Sequence, residues 1–155
     1  MKQWTALFAL VALTSACAAK EEAPAADTAT AMAAAPTATF ESMAGDYTWT
    51  MKAEVGDSVL GTGSSRSEAD GTGYSVNNAR PTDTTRFTGK IEGGNLISES
   101  APYTDPAMPK DVGQVMWRVV APLPTGTGLS GIVTVSPVSK PDSVLVRARV
   151  ETTKK

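Results

Sequence analysis

Asp46-Tyr47-Thr48-Trp49-Thr50-Met51-Lys52-Ala53 is the stretch that decides the fold. Tyr47, Trp49, Met51 and Ala53 alternate there with Asp46, Thr48, Thr50 and Lys52. Side chains on a strand point to opposite faces with period two, so this pattern reads as a strand with one face toward a core. The strand is expected from Asp46 to about Val55, and Gly56-Asp57 then turns the chain.

The same alternation recurs downstream, broken by turn residues roughly every 8–15 positions. A second strand is expected over Ser58–Ala69, and Asp70-Gly71 is a two-residue hairpin signal. Thr72–Ala79 makes the third strand. A polar loop with Arg80-Pro81 leads to the fourth, Thr84–Glu92, and Gly93-Gly94 turns it into the fifth, Asn95–Ser100. The loop 101–112 carries Pro102, Pro106 and Pro109. Strand six is Gly113–Ala121, with Val115, Trp117 and Val119 on one face and Arg118 on the other. Strand seven is Leu129–Ser136. Strand eight is Asp142–Thr152, with Val144, Val146, Ala148 and Val150 opposite Arg147 and Arg149.

The expected fold is therefore all-β: an eight-stranded antiparallel up-and-down meander with no convincing helix. Such a meander has two edges to protect, and closure into a barrel removes them. Eight strands enclose an interior either filled by side chains or able to hold one small ligand. A two-sheet β-sandwich is the alternative. Residues 40–155 are enough for one domain with one core. Twelve Lys and Arg stand there against thirteen Asp and Glu, a net charge of −1. No basic cluster is present, so nothing points to nucleic acid.

Chemistry is scarce. The chain has no histidine, which removes the commonest general base, the usual triads and most zinc sites. No Gly-x-Ser-x-Gly elbow occurs, and the glycines at 61, 63, 71 and 73 precede no helix that would aim amides at a phosphate. The carboxylate pairs Glu54 and Asp57, Glu68 and Asp70, and Asp105 and Asp111 read as solvated charges that guard strand edges. No catalytic residue, metal site or cofactor is expected. The loop 101–112 is the longest connection, and its Tyr103 and Met108 would either close over an apolar ligand or simply cover a barrel end.

Upstream of the domain, Lys2 precedes an apolar run from Trp4 to Leu13, too short to span a bilayer. Small residues Ser15 and Ala16 then lead to Cys17, the only cysteine. Residues 1–16 read as a signal peptide. Residues 18–39 are half alanine, with Pro24, Pro36 and four threonines, and cannot bury enough apolar surface to order themselves. As a flexible coil that tether spans roughly 25 Å.

Leu13-Thr14-Ser15-Ala16-Cys17 resembles a bacterial lipobox. The resemblance implies lipid on Cys17, a tether over 17–39, and an outer-membrane lipoprotein facing the periplasm. An ordinary cut after Ala18 would instead give a secreted or soluble periplasmic protein. The domain resembles the lipocalin-like barrels, whose first strand opens with Gly-x-Trp. Gly45-Asp46-Tyr47 and Trp49 stand in that place, so Tyr47 or Trp49 would plug the closed end. The resemblance also implies a basic residue over that ring from the last strand, Arg147 or Arg149 here. The stretch from Ser100-Ala101-Pro102-Tyr103 through Asp142-Ser143-Val144-Leu145 is similar to small lipocalin-like bacterial lipoproteins. The implied function is non-enzymatic: a monomeric, membrane-anchored barrel for a small apolar or amphipathic ligand, with Tyr47, Trp49, Tyr103, Met108 and Trp117 as contacts. The alternative is an interaction protein with a packed barrel that meets another envelope component.

Overall fold

The computed structural model describes residues 38–155. Eight strands run in chain order: β1 (Gly45–Ala53), β2 (Val59–Ser67), β3 (Thr72–Asn77), β4 (Arg80–Glu92), β5 (Asn95–Ser100), β6 (Val115–Pro122), β7 (Gly128–Pro137) and β8 (Val146–Lys154). Each pairs antiparallel with the next, and β8 pairs with β1 to close the barrel. The all-β meander is thus as expected, and the two-sheet sandwich is excluded because the single sheet has no break. The Gly93-Gly94 hairpin also forms as read, both residues holding positive φ (58° and 77°), as a primed turn requires. The signal peptide, Cys17 and all but the last two residues of the 17–39 tether lie outside the described residues.

Most strand ends lie within two residues of expectation, but two strand starts are displaced by four and one element is added. β4 begins at Arg80 rather than Thr84, because a register shift after Val76 accommodates Pro81 at the strand's start. β8 begins at Val146 rather than Asp142. Lys140 and Ser143 close successive turns on Pro137 and Lys140, which leaves Val144 exposed instead of inward. A one-turn helix, α1 (Phe40–Met43), precedes β1. Thr39 and Ser42 form a reciprocal capping box, a signal hidden by serine in the usual Glu or Gln place.

The barrel has two unlike ends. One holds α1, the hairpin turns at 68–71 and 93–94, the segment 123–127 and Lys154. The other holds the turns at 54–58 and 138–145 and the long 101–114 connection. A small core of Val133, Ala148 and Val150 packs against Trp49, Met51, Trp117 and Val119. Among the described residues the largest completely buried side chain is Val115. The inward rings of Trp49, Phe87 and Trp117 are only half-buried, because each borders open space.

Candidate functional site

The barrel is hollow. A cavity of about 980 Å³ reaches from Ser42 and Met43 at the helical end to Arg80, Asp105 and Met108 at the loop end. This is the size of a pocket for a small organic ligand. It also contradicts the packed barrel on which the interaction reading was built. The reason is the sequence of β2 and β3: where a filled barrel would carry Val or Leu, inward positions are Gly61, Gly63, Gly73, Ser65 and Ser75.

All five ligand-contact residues read from the sequence line this cavity: Tyr47, Trp49, Tyr103, Met108 and Trp117. Tyr47 sits at the helical end, and its hydroxyl donates to the Met43 carbonyl at 2.6 Å, tying β1 to α1. Burial raises its phenol pKa. Trp49 lies one inward position deeper, over Gly61 and Gly63, with Nε1 donating to the Ser64 carbonyl at 3.2 Å. Trp117 meets Phe87 in a tilted pair, ring centroids 5.6 Å apart, a geometry aromatic quadrupoles favour.

The cation over the first-strand ring is neither Arg147 nor Arg149. Lys154 takes that place, its ammonium 6.0 Å from the Tyr47 centroid and 3.3 Å from the Ser42 carbonyl. Arg147 and Arg149 sit toward the loop end, where they bind Glu54 and Asp57. Those two carboxylates therefore hold the β1–β2 turn to β8 and guard no edge, since the barrel has none. Glu68 pairs with Arg66, and Asp70 caps Thr72.

Asp105 departs furthest from the solvated charge expected of it. Its side chain is 13% exposed, and both oxygens accept from Arg80, at 2.7 and 3.3 Å. The Ala107 amide donates to it as well, at 2.9 Å. This fork-to-fork pairing fastens the 101–112 loop to the start of β4. The hydrogen bond that Arg80 donates to Asp105 keeps the guanidinium more firmly protonated than usual, against the opposing effect of burial. Tyr103 makes a two-way backbone bridge with Val115, which extends the sheet into the loop. Burial, with the Asp105 charge adding to it and Arg80 opposing, pushes its phenol pKa up to about 12. The oxygens of Asp105 are committed to Arg80 and the Ala107 amide, which suits a brace better than a proton donor. Asp83 also lines this mouth. Among the described residues no cluster of three or more His, Cys, Asp or Glu could hold a metal ion.

The sequence reading missed Arg80, Asp83, Asp105, Lys154 and the serines of the wall. The signal for the serines was present: Gly61, Gly63, Ser65 and Ser67 recur at period two, small and all on one face. Arg80 and Asp105 are 25 positions apart and carry no joint pattern. Comparison with protein-family models, curated proteins and solved structures gives no match.

Proposed function

We propose that this chain is a membrane-anchored envelope lipoprotein whose barrel binds a small apolar or amphipathic molecule and catalyses no reaction. The single observation that carries the binding reading is the cavity of about 980 Å³ bordered by Trp49, Phe87 and Trp117. Burying a ligand there exchanges half-exposed aromatic and aliphatic surface for contact, worth about 25 cal/mol per Å². The lipocalin-like reading draws support from the closed meander and from Tyr47 with Lys154 above it, the place of the plug and its basic cover. The anchor reading rests on Leu13-Thr14-Ser15-Ala16-Cys17 and on the alanine-rich stretch after it.

The test of binding is a titration of the full chain with N-phenyl-1-naphthylamine, a neutral dye that brightens in apolar surroundings. Saturable brightening with one dye per chain is expected. A folded protein that leaves the dye dark overturns the reading. The anchor is tested by Cys17→Ser, expected to release the protein from the membrane fraction into the soluble envelope fraction; unchanged retention removes the anchor while leaving the barrel reading intact.

A further inference from the structure

The cavity wall is divided lengthwise. On β6–β8 its inward side chains are mostly hydrocarbon, chiefly Trp117, Val119, Val133, Val135 and Val150, with Thr152 and Lys154 the polar exceptions toward the helical end. On β2–β5 hydroxyls predominate, beside Phe87 and Leu96, and the strand registers join several of them into one row that continues through β1 to the end of β8. Lys154 stands opposite Tyr47, Tyr47 opposite Ser65, Ser65 opposite Ser75, and Ser75 opposite Thr85. All five residues line the cavity. Neighbours across strands on one face stand about 5 Å apart, so four steps make a row of about 20 Å. The strands are tilted in a closed barrel, and the row accordingly climbs from Lys154 at the helical end to Thr85 beside the Arg80 mouth.

The hydroxyls of Ser65, Ser75 and Thr85, with those of Ser67 and Ser98 beside them, make no hydrogen bond to the protein among the described residues. Ser98 is 8% exposed and borders the cavity. A wholly hydrocarbon occupant would strip water from these groups and return nothing, which costs affinity. An occupant polar all round would lose as much against the valines and Trp117.

We infer that the barrel takes a facial amphiphile: an elongate, rigid molecule with hydroxyls or carbonyls along one long face and hydrocarbon along the other. It lies along the barrel, its polar face on the Lys154–Thr85 row and its hydrocarbon face on β6–β8. This rests on the binding reading above and adds the orientation and chemistry of the ligand. Recognition is by a polar flank, not by a polar head at one tip.

The experiment is displacement of the bound dye from the full chain by cholate and by lithocholate, both below their micelle-forming concentrations. The two share a ring skeleton and a carboxylate; cholate has three hydroxyls on one face and lithocholate one. Cholate is expected to bind more tightly, although lithocholate is the more hydrophobic. The double variant Ser65→Ala, Ser75→Ala is expected to lose about tenfold in cholate affinity and little in lithocholate affinity. Dye titration and melting of the variant check that the barrel is intact. If lithocholate displaces the dye at least as well as cholate, or the variant binds cholate as the parent does, the inference falls and the binding reading stands. If the dye itself does not bind, both fall.

Discussion

Gly63 has no side chain because Trp49 occupies the space a side chain would take. A Cβ there would run into the indole and into the carbonyl oxygen of Val76, and the backbone atom cannot move aside. Gly73 does the same for the ring of Phe87. Gly63→Ala is therefore expected to cost about 1–3 kcal/mol, the penalty of overpacking, read as a fall of several degrees in the melting temperature. A variant that melts with the parent would mean Trp49 has another place to go. Tyr103 is the residue with a legible pH response. Its phenol ionises only near pH 12 in the folded protein, against about 10 in the unfolded chain. The raised value means the folded state holds the proton longer. The stability this contributes is complete below pH 10 and is lost as pH rises toward 12. Absorbance titration should show a step near pH 12 that is lost in Tyr103→Phe.

The elements differ in how they are held. Strands β1 to β8 are laced to two neighbours each, so no strand has a free edge. The 101–112 loop has fewer ties: the Tyr103–Val115 bridge, a short 3₁₀ turn at Lys110–Val112 and the Arg80–Asp105 pair. The pair is the side-chain tie that crosses from the loop to β4, where the Ala101 amide also donates to the Arg86 carbonyl at 2.8 Å. Asp105→Asn keeps the shape of the side chain but leaves Arg80, 27% exposed, without its counter-charge. A loss of about 1–3 kcal/mol is expected, together with faster exchange of bound dye through the loosened mouth. Stopped-flow dye release measures the second effect; an unchanged rate would show that ligand enters elsewhere. At the opposite end α1 is short but well fastened. Met43 is buried, and Phe40 covers Gly71 and Gly89, with 3.1 Å to the Cβ position of either glycine. The capping box that starts the helix uses serine where the familiar signal has a carboxylate or amide, and the helix went unread for that reason.

For the whole molecule, the decisive property is that the barrel does not fill itself. Filling it by substitution tests the point directly. Val119 lies on β6, half-buried, with its side chain on the cavity. Val119→Trp is expected to abolish dye binding while leaving the melting temperature within a few degrees of the parent or above it, since the added ring enters open space. Retained dye binding would place the site outside the barrel. The strand count, the meander and the inward face of β1 were legible in the sequence, because period-two alternation and paired turn residues are local signals. The five cavity residues Tyr47, Trp49, Tyr103, Met108 and Trp117 were legible for the same reason, as large side chains on inward faces or on the longest loop. The serine and glycine faces of β2 and β3 were not, since a face without hydrophobic residues gives no hydrophobic period to follow. The Arg80–Asp105 pair depends on how the long loop after β5 folds back over the start of β4, and the place of Lys154 over Tyr47 depends on closure, which brings the first and last strands together. The sequence by itself determined the strands and the order in which they pair, because alternation, turns and short connections act between neighbours along the chain. Only the tertiary structure decided that the interior is open and two-sided. Closing eight strands sets the internal volume, and whether the inward side chains fill that volume is a sum over all of them at once.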